Sequence, residues 1–98
     1  MANDLLIIER LLDAKQMDDK LNMYAKVTVK QGGRVNYHEH IGDAESYFIV
    51  SGEGVYNDNG TTVTVKPGDH LWCKDGDGHA IENNNAEDLV FMALIIKS

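Results

Sequence analysis

His38 and His40 stand two residues apart, Glu45 follows five residues later, and His79 lies far downstream. On an extended strand residues i and i+2 face the same way, so the imidazoles of His38-Glu39-His40 can aim at one point. Glu45 opens the next expected strand after the connection Ile41-Gly42-Asp43-Ala44, and His79 opens a later strand, with Asn83 four residues beyond it in the same phase. If these strands pair within one sheet, three neutral nitrogen donors and one anionic oxygen converge. That donor set suits a divalent transition metal such as Mn, Fe, Co, Ni, Cu or Zn, with positions left over for water, substrate or dioxygen. A His-x-His pair alone is weak, because hydrogen-bonded core or surface histidines produce it more often than metal ligands do.

The rest of the chain must supply strands to hold these residues. Its 98 residues and 10.9 kDa suit one domain with a single small core. The formal net charge of −7 argues against nucleic acid or an anionic membrane as a partner, since both demand a basic face. The longest apolar run, Leu89 to Ile96, is far too short to span a bilayer, and Leu5-Leu6-Ile7-Ile8 is too short for a signal-peptide core. One cysteine, Cys73, excludes an internal disulfide. A cytoplasmic protein is expected.

Glycines grouped at turn positions divide the chain into short β-rich segments, the pattern of a sandwich or barrel. Residues 1–20 are expected to form an N-terminal arm, strand or short helix, ahead of a single barrel over residues 21–98. Within the barrel, strands are expected at Met23 to Val29, Val35 to His40, Glu45 to Ser51, Gly54 onward, Thr61 to Lys66, Leu71 to Cys73, His79 to Ile81 and Leu89 to Ile96. Asp58-Asn59-Gly60 favours the positive φ of a hairpin turn. Tyr47-Phe48-Ile49-Val50 reads as a strand buried on both faces. About eight strands with little helix define an all-β chain closed as two packed sheets or a small barrel.

Against this frame the histidine spacing resembles the cupin superfamily, whose motifs are G(X)5HXH(X)3-4E(X)6G and G(X)5PXG(X)2H(X)3N. Gly32, His38, His40, Glu45 and Gly52 fill the first motif, and Gly68, Gly76, His79 and Asn83 fill the second, with Lys74 where the family has proline. Nine of ten fixed positions match, including every ligand position. The resemblance implies a double-stranded β-helix, or jelly-roll barrel, open at one end with a divalent metal inside. It implies His38, His40, Glu45 and His79 as ligands, Gly52 and Gly68 as turn glycines, and Asn83 as a residue that orients a loop or hydrogen-bonds near the site. The Lys74 departure loosens one turn without reaching the metal.

Tyr47 and Ile49 share the phase of Glu45 and are expected in the pocket with Asn83. The phase of the last strand is open: either Met92 and Leu94 or Phe91 and Ala93 complete the apolar wall. Glu39 should face away from the histidines, His70 should be an exposed bystander, and Cys73 an inert buried thiol. Asp75 and Asp77 read as solvated turn residues. The continuous apolar strand Leu89 to Ile96 asks for burial on both faces, and a homodimer over the outer face satisfies that. Two functions fit. The favoured one is a metal-dependent enzyme of oxygenase or isomerase type, acting on a small organic molecule with Glu45 available as a base. The alternative is a non-catalytic cupin that binds a metal or small ligand for sensing or storage.

Overall fold

The computed structural model of the chain describes residues 2–98. A 3-10 turn at Ala2–Leu5 leads into β1 (Leu6–Arg10), and a single-turn helix α1 (Ala14–Met17) precedes β2 (Leu21–Val29). There follow β3 (Arg34–Glu39), β4 (Asp43–Ser51), β5 (Gly54–Asp58), β6 (Thr61–Val65), β7 (His70–Cys73), β8 (Gly78–Glu82) and β9 (Leu89–Lys97). They form two antiparallel sheets, β1-β2-β9-β4-β7 and β3-β8-β5-β6, packed as a jelly roll.

Alternation fixes which side chains meet between the sheets. Val27, Val29, Ile49, Leu89, Phe91 and Ala93 from the five-stranded sheet pack against Tyr56, Val65 and Ile81 from the four-stranded one. Full burial of a side chain such as Phe91 is worth about 1.5–3 kcal/mol. The phase of β9 is thereby settled: Phe91 and Ala93 point inward, opposite Val27 and Ala25, while Met92 and Leu94 point out.

The strand reading is completed at two places in the N-terminal segment and corrected at two in β4. The described residues form nine strands, because Leu6–Arg10 pairs with β2 and becomes an edge of the larger sheet. The polar stretch after it contains α1, capped by a reciprocal pair of bonds between Asp13 and Gln16. β4 begins at Asp43, two residues before Glu45, since β9 continues to Lys97 and offers partners to Asp43 and Ala44. Finally, β4 is buried on one face only. Tyr47 and Ile49 are enclosed, whereas Phe48 is 46% and Val50 48% exposed, because among the described residues no further layer covers the outside of the larger sheet.

Turn chemistry holds as expected where the site depends on it. Asn59 and Gly60 both have positive φ, the requirement of a two-residue hairpin turn between β5 and β6. Gly52 has φ +78°, and a Cβ there would lie 2.2 Å from the Asp88 carbonyl oxygen. At the Lys74 departure the turn still closes: the Asp77 amide donates to the Lys74 carbonyl at 3.0 Å, with Gly76 supplying the positive φ.

Candidate metal centre

His38 lies on β3 directly opposite His79 on β8, in the four-stranded sheet. A register shift between Val35 and His38 turns both of these side chains toward the interior despite their odd spacing. His40 follows the last residue of β3, where its amide donates to the Asp77 carbonyl at 2.9 Å. Glu45 lies on β4, opposite Cys73 of β7, in the other sheet. The four side chains therefore meet across the sandwich. This corrects the expectation that their strands pair within one sheet: the carboxylate comes from the facing layer, which seats the cluster in the interior.

The ligand atoms are close. Glu45 Oε1 is 2.8 Å from His79 Nε2, 3.0 Å from His40 Nε2 and 3.5 Å from His38 Nε2. His79 Nε2 is 3.1 Å from both other Nε2 atoms. His40, Glu45 and His79 are buried and His38 is half-exposed. Each Nδ1 is engaged behind the cluster: His38 with the Asn36 carbonyl at 2.8 Å, His40 with Asp43 Oδ1 at 2.7 Å, and His79 with the Tyr56 hydroxyl at 2.8 Å.

These partners decide what the front atoms can do. A carbonyl and a carboxylate only accept, so neutral His38 and His40 carry their proton on Nδ1 and present lone pairs at Nε2. The Glu45 carboxylate oxygen thus faces two imidazole lone pairs, at 3.0 and 3.5 Å. Acceptors crowded in this way need a proton or a metal ion among them. Ligands about 2.1 Å from a common ion are about 3 Å apart, so the separations fit a first-row divalent metal. The chain's own residues therefore fit the metal that the donor set implies.

In the metal-free cluster a proton takes the cation's place: protonated His38 donates from Nε2 to Glu45. Burial pushes the Glu45 carboxyl up, but hydrogen bonds from His38 and His79 and the nearby imidazoles outweigh it and hold the group at about 2. Burial drives His79 below its ordinary value, which favours the neutral, ligating form, against an opposing pull from Glu45. His38 is raised, chiefly by its hydrogen bond to Glu45.

A cavity of about 180 Å³ opens onto the cluster. Its walls are Leu6, Ile8, Met23, Val27, Val35, Phe91, Ala93 and Ile95, with Tyr47 beside the ligands. Tyr47 stacks on His79 at 4.8 Å and stays protonated, since burial and then the Glu45 charge push its phenol well up. Ile49 sits deeper in the core, outside the cavity lining. Asn83 is fully buried just past β8; its amide donates to the Val29 and Glu87 carbonyls, and its oxygen accepts from the Asn85 amide. It ties the β8–β9 loop to β2 and lies outside the cavity lining.

Glu39 and His70 are exposed, and His70 Nε2 pairs with the Ser46 hydroxyl at 2.7 Å on the outside of the larger sheet. Cys73 is buried, its thiol pushed up to about 11 by burial and by Asp77 and Glu45. Asp75 is exposed and clamps two chain segments, accepting from the Gly42 amide and the Ser98 hydroxyl. Sequence reasoning missed Asp43 and Tyr56. Asp43 carried a signal, being three residues from His40; Tyr56 carried none, since only the pairing of β5 with β8 brings it to His79.

Fold and site together define a jelly-roll barrel with a cluster that fits a divalent metal, and comparison with known proteins gives it a family. A cupin-domain family model matches residues 25–95, and the chain belongs to the cupin family. It is 41% identical over 86 residues to an oxalate-binding protein of Thermotoga maritima, covering 88% of this chain and 71% of that protein. The crystal structure of a predicted oxalate decarboxylase from Thermotoga maritima superposes with a TM-score of 0.92 at 38% identity, over 95% of this chain and 81% of the other. The Cupin_2 domain of an XRE-family transcriptional regulator from Enterobacter cloacae matches with a TM-score of 0.81 at 18% identity, covering 96% and 98% of the two chains, which shows a shared fold alone. Among the described residues, no helix is long and apolar enough to cross a membrane.

Proposed function

We propose that this cupin holds one divalent transition metal on His38, His40, Glu45 and His79 and uses it to take a small chelating carboxylate of the oxalate class. The observation that carries the reading is the contrast between the cluster and its cavity. Three imidazoles and a carboxylate converge at the base of a cavity whose lining contains no Lys or Arg. A small anion entering it would find no cationic side chain, so the metal would supply its grip. A volume of about 180 Å³ suits a molecule of a few heavy atoms, the space of about six waters. The name of the 41%-identical relative, an oxalate-binding protein, supports the same ligand class.

Catalysis is the second reading, favoured by Glu45 and Tyr47 on one wall of the cavity. A bound metal supplies Lewis acidity or redox chemistry. The chain itself supplies Glu45, an ionised carboxylate able to accept a proton, and Tyr47, a protonated phenol able to orient a ligand oxygen. The apolar wall keeps bulk water from the reacting atoms.

The outer face of the larger sheet completes the proposal with a homodimer. Phe48 lies between Met92 and His70, and Ser46 between Leu94 and Trp72. On β4, β7 and β9 the outward positions Ala44, Ser46, Phe48, His70, Trp72, Val90, Met92 and Leu94 include no Asp, Glu, Lys or Arg, and the charges of that face, Lys26 and Glu9, lie beyond them on β2 and β1. In a chain of net charge −7, this uncharged patch is where two copies can meet without opposing like charges. A cytoplasmic setting accords with the single reduced thiol of Cys73.

Calorimetric titration of oxalate into metal-loaded and chelator-stripped protein tests the ligand proposal. Binding is expected only to the loaded form; equal binding to both would overturn it. Substrate-dependent oxygen uptake, or loss of oxalate over time, separates the catalytic reading from simple binding.

A further inference from the structure

Of the three histidines, His40 alone has a carboxylate behind it. Asp43 Oδ1 lies 2.7 Å from His40 Nδ1, and the second oxygen of the same carboxylate accepts from Asn22 Nδ2 at 2.9 Å. Asp43 is the first residue of β4, Asn22 the second residue of β2, and His40 lies between β3 and β4. The relay therefore ties a metal ligand at the end of one sheet to two strands of the other. His38, by comparison, leans on a backbone carbonyl, and His79 on a phenol that can either donate or accept.

We infer that Asp43 is a positioning residue of the metal centre: its carboxylate holds His40 in the Nδ1–H form with Nε2 left to coordinate, and Asn22 holds Asp43. The carboxylate can only accept from the ring, so the tautomer is set, and the two-point grip fixes the ring plane. Neither residue reaches the cavity, so neither is a ligand or a catalytic group. The Asn22 bond matters because it uses the carboxylate oxygen that the imidazole leaves free. Without it the carboxylate could turn toward solvent and release the ring.

The inference rests on the metal reading of the site, and Co(II) serves as the probe for both. Affinity is measured by competition with a chromophoric chelator, the ligand field by the visible Co(II) spectrum, and the fold by melting of the stripped protein. D43A is expected to weaken Co(II) binding about 10- to 100-fold, the range typical of lost outer-sphere partners, and to alter the spectrum. N22A should weaken it by a smaller factor with a similar melting curve.

The exchange variant N22D/D43N covers the case in which D43A does not fold. An amide at 43 can accept from Nδ1–H through its oxygen and donate to a carboxylate at 22, so both hydrogen bonds survive. It should recover most of the wild-type affinity and spectrum. Folded D43A with wild-type affinity and spectrum would overturn the inference, as would a folded exchange variant that binds no better than H40A. Failure of the wild-type protein to bind Co(II) would instead remove the metal reading itself.

Discussion

The Tyr56 hydroxyl lies 2.8 Å from His79 Nδ1, and the two side chains come from adjacent strands, β5 and β8. A phenol can donate to the ring nitrogen or accept from it, so Tyr56 serves His79 in either tautomer. When Nε2 carries the proton, it points at Glu45 Oε1, 2.8 Å away. When Nε2 binds a cation, the proton moves to Nδ1 and the phenol becomes the acceptor. His79 is thus the member of the cluster that can exchange one tautomer for the other and keep its Nδ1 hydrogen bond.

Y56F should therefore cost both stability and affinity. Losing a buried hydrogen bond is worth about 0.5–1.5 kcal/mol, and an outer-sphere partner about tenfold or more in metal binding. Urea unfolding of the stripped protein and chelator competition on the loaded one measure the two effects. Wild-type values in both would show that the contact does no more than fill space.

Removing two ligands at once gives the plainest test of the ligand set. H38A/H40A should abolish stoichiometric metal in protein purified without tag or chelator, read by elemental analysis. Unchanged metal content would refute the assignment of His38, His40, Glu45 and His79.

The stripped protein should lose stability on acidification in a predictable window. Glu45 is held at about 2 against an ordinary 4.5, so its contribution is complete above 4.5 and is lost as pH falls from there toward 2. His79 is lowered from 6.5, so it also costs stability as pH falls through 6.5, when the unfolded chain takes up the proton first. His38 is raised, so its contribution is present below 6.5 and lost as pH rises through its folded value. The two histidines oppose each other near neutrality, and Glu45 sets the acid limb. E45Q should flatten the stability profile between pH 4.5 and 2 in urea titrations; an unchanged slope there would contradict the role given to this carboxylate.

How far the sequence could be read depends on whether a feature is local or set by pairing. The strands around His38, Glu45 and His79 were legible, because alternation and glycine spacing act over a few residues. The ligand residues stood out for the same reason, their spacing being a local property of the β3–β4 segment and of the turn into β8. The facing-sheet origin of Glu45 was not legible, since nothing near residue 45 encodes which strand lies opposite. The inward phase of Phe91 and Ala93 likewise depends on registers with β2 and β4, because a uniformly apolar strand carries no alternation to read. Asn22 reaches Asp43 only because β2 and β4 both flank β9.

The outer face of the larger sheet yields the last prediction. Trp72 is 50% and Phe48 46% exposed, and they lie on neighbouring strands with Met92 and Leu94 beside them. An edge-to-centre apolar face of this kind is costly in water, at roughly 25 cal/mol for each Å² left exposed. A second copy would bury it, and a two-fold axis would place each Trp72 against the same uncharged surface of its mate. W72E introduces a charge into that contact, on the edge strand β7, while pointing away from the cavity. It should convert a dimer to a monomer by light scattering at micromolar concentration, and leave metal stoichiometry unchanged because the metal cluster lies on the other face of the sheet. A wild-type protein that is already monomeric at that concentration would refute the dimer, and a W72E protein that remains dimeric would move the interface elsewhere.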